Sequence, residues 1–325
     1  MNPRFARVRP EMTADEAIGY LKRQSRRQVE IIYYAYVLDG AQLLEGVVSF
    51  RDLFRAQGDA RVRDLMTTDL VTIDEETDQE EASRRLAKHD LLALPVLDAQ
   101  GHMKGIVTFD DIADVVEEEA TEDIQKLGGS EALDEPYLAI GFLKMLKKRA
   151  GWLSALFLGE MLTATAMSHY EREIARAVLL AIFVPLIISS GGNSGSQAST
   201  LVVRALALGE VRLRDWFRVI RREAAAGLSL GAILGSIGLA RILLWQRLFH
   251  LYGTHYLLVG LTVALSLVGV VLWGTLAGST LPFILRRLGF DPASASAPFV
   301  ATVVDVTGLV IYFTVAYLVL RGTLL

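Results

Sequence analysis

Five apolar segments in the second half of the chain constrain its fold more than any other feature. Each is close to the roughly 20 residues that cross the hydrocarbon core of a bilayer. They lie at about 150–168, 174–190, 224–244, 256–284 and 298–320. Stretches of this length with few charges are typical of transmembrane helices, so we expect residues 150–325 to form an all-α membrane domain of five helices.

The charged residues divide the chain in the same way. Residues 1–135 hold 29 Asp and Glu against 16 Lys and Arg, a net charge of −13, whereas residues 136–325 hold 8 against 17, a net charge of +9. This asymmetry predicts an acidic soluble domain followed by a membrane domain. The chain contains no cysteine, which excludes disulfides and thiolate metal sites.

Basic residues in the short loops predict the orientation, because cytoplasmic loops of membrane proteins carry an excess of Lys and Arg. One basic cluster precedes the first span, and a second lies between the second and third spans. Arg286 and Arg287 lie between the fourth and fifth spans. We therefore expect a multi-pass protein of the inner (cell) membrane with a cytoplasmic N-terminal domain and a C-terminus outside.

The acidic part contains an internal repeat. The first copy reads AYVLD at 35–39 and LEGVVSFRDL at 44–53, and the second reads ALPVLD at 93–98 and MKGIVTFDDI at 103–112. Each copy predicts two strands and then a helix that opens at a good N-cap, Ser49 or Thr108. This β-β-α repeat resembles the paired cystathionine-β-synthase (CBS) domains of regulatory modules, over repeats at about 8–58 and 59–116 within an α/β domain of residues 1–116.

The CBS resemblance implies a cleft between the two copies that binds ATP or another adenine nucleotide. Thr108 and Asp111 would contact the nucleotide, with the carboxylate on the ribose, and Ser49 and Asp52 would form a second, weaker set. The alternative is that these residues only cap helices and complement their dipoles. No glycine-rich loop of the P-loop kind is present, so ATP hydrolysis is not expected.

An acidic segment joins the two parts, and we assign residues 117–149 to a connecting helix and linker. No Pro or Gly interrupts the segment before Gly128, which predicts one continuous helix. Asp114, Glu118 and Glu122 fall at helical spacing along one face, where like charges repel. Such a face is either solvated or a place where divalent cations relieve the repulsion, since Mg²⁺ prefers carboxylate oxygens and water.

The second apolar segment ends in a polar run, GGNSGSQ at 191–197. Glycine loosens a helix, while Asn, Ser and Gln offer oxygen atoms without a charge. Irregular polar backbone is tolerated at membrane depth only where it is buried in protein or lines a water-filled path. The run therefore predicts a broken helix at a pore or transport site. Its candidate pore-lining residues are Gly191, Gly192, Ser194, Gly195 and Gln197.

Two acidic residues lie inside the apolar segments, where charged side chains are rare and costly. Asp305 lies about a third of the way along the last span, and it either meets water or a cation or is a protonated acid bonded to a helix carbonyl. Glu160, in the first span, either contacts ions or forms an interhelical hydrogen bond. Residues about one turn from Asp305 suit a narrow polar passage: Thr302, Thr307 and Gly308.

Glycines recur every four residues in the third span, at Gly227, Gly231 and Gly235. This spacing predicts close packing of helices through small faces, with a hinge as the alternative.

The membrane half resembles the MgtE-type magnesium transporters and channels. The residues that carry this resemblance are the run at 191–197 after Pro185, ALALGE at 205–210, DPA at 291–293, and the last span from Pro298 through Asp305. With the CBS pair and the acidic connecting helix, the resemblance covers residues 8–325.

This resemblance implies Mg²⁺ transport by a homodimer in the lipid bilayer, through a pore between subunits lined by the second and fifth spans. Asp305 would hold hydrated Mg²⁺ with Asn193 nearby, Asp291 would lie at the cytoplasmic mouth, and Glu160 is a further candidate ligand. The connecting helix would act as a plug that moves with cytoplasmic Mg²⁺ bound at Asp114, Glu118 and Glu122. The expected partners are divalent cations, lipid and a second copy, with no nucleic acid.

Two other classes of function stay open. One is a secondary transporter that exchanges Mg²⁺ for Na⁺ or H⁺, with Glu160 and Asp305 as a relay. The other is a membrane-anchored nucleotide sensor without transport, which would leave the polar run without a purpose. No catalytic triad, paired acid and base or redox motif is present, so an enzyme is not expected.

Members of the family commonly carry a helical domain ahead of the CBS pair, whereas here the repeat begins near residue 8. Because that domain contributes acidic sensing surface, we expect Mg²⁺-dependent closure that is kept but weakened.

Overall fold

The computed structural model describes residues 1–25, 33–176 and 178–324. Residue 177, in the second predicted span, and residue 325, at the end of the predicted membrane domain, lie outside the described residues. The chain forms two compact units, Met1–Ala120 and Thr121–Leu325.

The first unit contains two copies of one β-α-β-β-α arrangement. The first copy consists of β1 (Arg7–Val8), α1 (Ala14–Ser25), β2 (Tyr34–Leu38), β3 (Leu44–Ser49) and α2 (Phe50–Arg55). A short helix, α3 (Val62–Leu65), follows it. The second copy consists of β4 (Ile73–Asp74), α4 (Gln79–Lys88), β5 (Ala93–Leu97), β6 (Met103–Thr108) and α5 (Phe109–Leu127).

Each copy builds a three-stranded sheet of the same topology. The middle strand pairs in parallel with the short first strand and antiparallel with the third. Both sheets shift register at the same place, between Val37 and Leu38 in one and between Val96 and Leu97 in the other. The β-β-α repeat predicted from the sequence is therefore confirmed. The short strands β1 and β4 add to it and were not predicted.

Apolar side chains of the strands and helices form a small core in each copy. Its central residues are Ala17, Val37 and Leu53 in the first copy and Leu86, Leu94 and Ile112 in the second. A further cluster joins the two copies and includes Tyr36 and Ile106. The two copies thus fold as one body, with α5 leaving it at residue 120.

The second unit is helical. Its helices are α6 (Phe142–His169), α7 (Glu171–Arg176), α8 (Val178–Ala207), α9 (Trp216–Phe249), α10 (Tyr256–Arg287) and α11 (Ala297–Leu320). Among the described residues, five of these helices, all except the short α7, are long and apolar enough to cross a membrane by length and composition. The five predicted spans are therefore confirmed as helices, and most are longer than the apolar pattern indicated.

Helix α10 lies at the centre of this bundle and packs against α8, α9 and α11, while α6 packs mainly against α11. The core is aliphatic, with Val263 and Val270 of α10 fully buried. The Tyr312 hydroxyl of α11 donates a hydrogen bond of 2.8 Å to the Leu180 carbonyl of α8. This buried hydroxyl is thus paired with a backbone oxygen inside the bundle, as a membrane interior favours.

The glycines of the third span pack directly on α10. A side-chain carbon at Gly231 would lie 2.7 Å from the Cα atom of Val268, and one at Gly235 would lie 2.8 Å from the Ala264 carbonyl oxygen. No larger residue fits at these distances without moving the backbone. The predicted close packing through small residues is confirmed.

The polar run at 191–197 does not break its helix, and this prediction is wrong. Helix α8 is continuous from 178 to 207 and includes Pro185. The glycines serve packing instead, because a side-chain carbon at Gly195 would lie 2.8 Å from the Gly274 carbonyl oxygen of α10. Because glycine has no Cβ atom, the backbones of α8 and α10 can touch at these positions. Helix α8 therefore stays continuous and uses its glycines for contact with α10.

Candidate functional site

The polar run of α8 has an inner face that packs on α10. Gly191, Ser194 and Gly195 are buried there, and the hydroxyls of Ser194 and Thr275 lie 2.8 Å apart. Thr275 also donates to the backbone carbonyl four residues earlier, so the pair is satisfied inside the protein. The small size of these three residues serves the contact between the two helices within one chain, and their pore-lining role stays a prediction.

The outer face of α8 carries larger polar side chains, and all of them are exposed. Ser189, Asn193, Gln197 and Thr200 recur at helical spacing along it. The Asn193 amide donates to the Ser189 hydroxyl at 3.5 Å. Gln197 is exposed on the same face as Asn193, and its pore-lining role stays a prediction. Ser189 and Thr200 were missed, although a helical period carried through the run would have placed them on the same face.

Asp305 lies on α11 at the edge of this polar face and is partly exposed. A side-chain carbon at Gly192 would lie 3.9 Å from the Asp305 Oδ1 atom and 3.5 Å from the Ala301 Cβ atom. Within the described part of the chain, no cation and no hydrogen-bond donor pairs with this carboxylate. The structure thus brings Gly192 and Asp305 together beside Asn193, and it leaves the acid open to a ligand.

The other residues predicted around Asp305 are engaged within the bundle. Thr302 and Thr307 each donate to the carbonyl four residues earlier, at 3.0 and 2.7 Å. Thr307 also accepts a 2.7 Å hydrogen bond from the Trp273 indole, and Gly308 is buried against Val270. Thr302 and Gly308 are buried, because a helical threonine can return its hydroxyl to the backbone and glycine admits a neighbouring side chain. The pore-lining role of Thr302, Thr307 and Gly308 stays a prediction.

Glu160 lies on a groove of about 670 Å³ between α6 and α11. The groove is otherwise mostly apolar, with Phe157 and Ala301 among the residues that line it. The carboxylate of Glu160 is exposed, and the groove that it lines also includes Ala301 and Thr302, about one helical turn before Asp305 on α11. The structure therefore places the two membrane acids in one neighbourhood, on different helices.

Lys126, near the end of α5, connects two of the predicted cation ligands. Its ammonium lies 2.5 Å from the Asp291 Oδ2 atom and also pairs with Glu122. Asp291 in turn accepts a 2.8 Å hydrogen bond from the Ala293 amide, in the short turn before α11. Burial alone would lower the pKa of Lys126, but hydrogen bonds to Asp291 and Glu122 outweigh it and raise the pKa above its usual value. The two carboxylates thus hold a cation that the chain itself supplies.

The remaining acids of the predicted face, Asp114 and Glu118, are exposed on α5. Across residues 1–25, 33–176 and 178–324, no three acidic or histidine side chains come together in a group that could hold a metal ion. Asp114, Glu118 and Glu122 therefore do not enclose a cation within one chain.

The residues predicted for nucleotide binding occupy the helix N-termini of the two repeats. The Ser49 hydroxyl accepts a 3.0 Å hydrogen bond from the Asp52 amide and lies 2.5 Å from the Asp52 carboxylate. In the second copy, the Thr108 amide donates to the Asp111 carboxylate at 3.3 Å. A hydrogen bond from Thr108 also holds the pKa of Asp110 below its usual value. Both pairs cap their helices, and Asp111 keeps its carboxylate exposed.

Two family profiles match the two parts of the chain. The CBS domain matches residues 1–59 and 62–118, and MgtE, described as a divalent cation transporter, matches residues 184–315. The magnesium transporter MgtE of Thermus thermophilus is 42% identical over 322 residues, which are 99% of this chain and 69% of that protein. The chain belongs to the MgtE family of magnesium transporters. The MgtE of Enterococcus faecalis is 35% identical over 99% of this chain and 68% of its own length.

Among solved structures, the cytosolic domain of the Mg²⁺ channel MgtE in complex with ATP is 42% identical, covering 35% of this chain and 45% of that chain, with a TM-score of 0.34. As a member of the MgtE family, the chain is a transporter of Mg²⁺, and it acts in a lipid bilayer. The relatives that match nearly the whole chain are named as transporters and not as enzymes, in agreement with the sequence. The CBS pair followed by a helical membrane part confirms the predicted fold class.

Proposed function

We propose that two copies of this MgtE-family chain pair across the outer face of α8 and enclose a pore for hydrated Mg²⁺. The observation that carries the proposal is the exposed row of Asn193 and Gln197 beside the open carboxylate of Asp305, in helices otherwise suited to lipid. Lipid cannot satisfy amides or a carboxylate, which are costly at membrane depth without water or a partner. In a dimer with two-fold symmetry, this face of one copy would pack against the same face of the other copy.

The chemistry of this face suits Mg²⁺ that keeps its water. Mg²⁺ dehydrates reluctantly and is commonly bound through one or two carboxylates with several waters retained. One Asp305 from each subunit would supply the charge, while amide and hydroxyl groups of α8 would hydrogen-bond the waters. Entry needs no coupled energy source, because the membrane potential supplies about 4.6 kcal/mol per 100 mV for a divalent ion.

The inner face of α8 would keep this pathway in place. Gly191 and Gly195 seat α8 against α10, and the hydrogen bond between Ser194 and Thr275 fixes its rotation. A helix held this way presents Asn193 and Gln197 at a constant angle. The small residues of the polar run thus position the pore without lining it.

We also propose that cytoplasmic Mg²⁺ closes the pathway through the connecting helix α5. The end of α5 is already tied to the turn before α11 by the contact between Lys126 and Asp291. Asp114 and Glu118 repel each other on one exposed face of the helix, and divalent cations would reduce this repulsion and favour one helix position. The basic loops support a cytoplasmic location for α5 and an outside C-terminus.

For the CBS pair, we propose an adenine nucleotide as regulatory ligand. Support comes from Asp111, whose carboxylate accepts a long 3.3 Å hydrogen bond from the Thr108 amide and stays exposed at a helix N-terminus. Such a carboxylate can accept hydrogen bonds from the hydroxyl groups of a ribose. Ser49 and Asp52 bond each other at 2.5 Å, which makes them the weaker set. Binding of ATP measured by calorimetry, and its loss in Asp111→Ala, tests this assignment.

Exchange of Mg²⁺ for Na⁺ or H⁺ is a second candidate, favoured by the placement of Glu160 on a groove that α11 lines about one turn before Asp305. Two carboxylates that interact can share a proton and release it when a cation binds. Flux that follows a Na⁺ or pH gradient at fixed voltage would support exchange, and flux that follows voltage and the Mg²⁺ gradient alone would support the pore.

The chain has no cysteine, so cross-linking tests the pairing directly. Asn193→Cys and Gln197→Cys should each form a disulfide-linked dimer in oxidised membranes, because residues near a two-fold axis face their own copies. Ile233→Cys is the control, since Ile233 is exposed on α9 and belongs to no proposed interface. Equal cross-linking at all three positions, or none at 193 and 197, would contradict the proposed dimer.

A further inference from the structure

A second groove lies where the beginning of α9 meets the end of α10. Its volume is about 380 Å³, and its lining residues are Leu213, Trp216, Thr280, Phe283, Ile284 and Arg287. The lining combines an apolar floor with one guanidinium at the rim. Among the residues that the structure describes, no acidic side chain lines this groove.

The rim cation is available for a ligand. Across the described residues, the Arg287 side chain is exposed and has no ion pair or hydrogen bond. Its neighbour Arg286 is different, because it donates a 3.1 Å hydrogen bond to the Leu206 carbonyl and so contributes to the contact between α10 and α8. Arg218 is likewise paired, with Asp215 at 3.1 Å. Arg287 is thus a charge that the protein's own packing does not use.

The position of the groove at the ends of two long apolar helices also suits a lipid headgroup. Helices α9 and α10 are both long enough to span the bilayer, and the groove is at the end of the pair that carries the arginine-rich loop. Trp216 is 44% exposed at this boundary, where amphipathic indoles are enriched in membrane proteins. An apolar floor on the membrane side and a cation on the water side match the two parts of a phospholipid.

We infer that this groove binds one anionic phospholipid, with its phosphate on Arg287 and an acyl chain along Phe283 and Ile284. Arginine pairs with phosphate through two parallel hydrogen bonds. Basic grooves between membrane helices on the side of excess positive charge are suited to anionic headgroups. A zwitterionic lipid should bind with lower affinity, because the described lining of the groove has no acid to pair with the ammonium group of the lipid. The site is separate from the α8 face, so its failure would leave the proposed pore untouched.

The test compares lipid retention by the full chain, using native mass spectrometry after incubation with an equimolar mixture of phosphatidylglycerol and phosphatidylcholine. We expect the parent chain to retain phosphatidylglycerol preferentially and Arg287→Gln to lower that preference by about fivefold, the effect of one arginine at an anionic surface. Arg247→Gln is the matched control, since Arg247 is an exposed arginine at the other end of α9. Thr280→Phe keeps the charge but fills the groove, and it should lower retention of both lipids at this site.

Three results would overturn the inference. They are equal retention of the two lipids by the parent chain, unchanged preference in Arg287→Gln, and displacement of phosphatidylglycerol by excess inorganic phosphate, which would indicate a phosphate site without a lipid. If Arg287→Gln melts below the parent in phosphatidylcholine, Thr280→Phe and Arg287→Lys decide instead. Arg287→Lys keeps a cation without the planar fork and should retain an intermediate preference.

Discussion

The ammonium of Lys126 lies 2.5 Å from the carboxylate of Asp291, across 165 positions of sequence. This contact ties the end of α5 to the turn that leads into α11, the helix that carries Asp305. Under the proposed closure, we expect a movement of α5 to reach the beginning of the helix that holds the proposed Mg²⁺ ligand.

Replacing Lys126 by methionine should loosen the proposed closure. Glu122 and Asp291 would then repel each other, so we expect higher Mg²⁺ flux at low internal Mg²⁺ and a stronger dependence on internal Mg²⁺, which can replace the ammonium. Flux into proteoliposomes at several internal Mg²⁺ concentrations measures both effects. Lys144→Met is the control, because Lys144 also pairs with two carboxylates, Asp134 and Glu135, at an exposed site. Equal flux in the Lys126 and Lys144 variants would contradict the coupling.

The ion pair between Lys126 and Asp291 should keep its charges near neutral pH. The pKa of Lys126 is raised above its usual value, so the stabilisation is fully present below the unfolded pKa of about 10.4 and is lost only as pH rises through the folded value. Mg²⁺-dependent closure should therefore be unchanged between about pH 6.5 and 8.5, which lies below that window. Closure that weakens steadily over this range would show that another group controls it.

Enlarging Gly195 should destabilise the membrane bundle. A side-chain carbon there would lie 2.7 Å from Val300 and 2.8 Å from the Gly274 carbonyl oxygen, so Gly195→Ala should cost about 1–3 kcal/mol by overpacking. Gly141→Ala is the control, since a carbon at Gly141 meets nothing within 4 Å. Melting temperatures in detergent compare the two, and equal values would mean that α8 and α10 do not touch as described.

Replacing Asn193 by leucine should reduce transport while sparing the fold. Asn193 is exposed, so its amide contributes to no buried contact within one chain. Two subunits would each lose hydrogen bonds to hydrated Mg²⁺, about 0.5–1.5 kcal/mol apiece, and flux should fall about tenfold. Thr314→Leu, on an exposed position of α11, is the control. A loss of flux in both variants would point to a general effect of apolar substitution.

The sequence predicted the helices and the repeat because both rest on local patterns. Hydropathy alone located the five spans, and the matched strands and caps located the two CBS copies. The strands β1 and β4 are two residues long, too short for any periodicity to show. They form only because a neighbouring strand offers them backbone partners.

The site was predicted less completely because composition does not reveal which way a side chain points. Gly191 and Asn193 are two residues apart, yet one faces α10 and the other faces outward. The low helix propensity of glycine predicts a break in α8, but contact with Gly274 and Gly278 overrides that local preference. The pairing of Lys126 with Asp291 depends on the folded chain and has no local pattern at all.

Mg²⁺ flux through Asp305→Asn tests the account most directly. The change keeps the size of the side chain and removes the charge proposed to hold the ion, and Glu171→Gln neutralises an exposed acid of α7 as its control. With size-exclusion chromatography showing the same folded assembly for each variant, we predict at least about a tenfold loss of Mg²⁺ uptake into proteoliposomes for Asp305→Asn, because a charge-assisted contact of about 1.5–3 kcal/mol disappears from each subunit. Uptake equal to that of the parent chain would contradict the assigned role of Asp305.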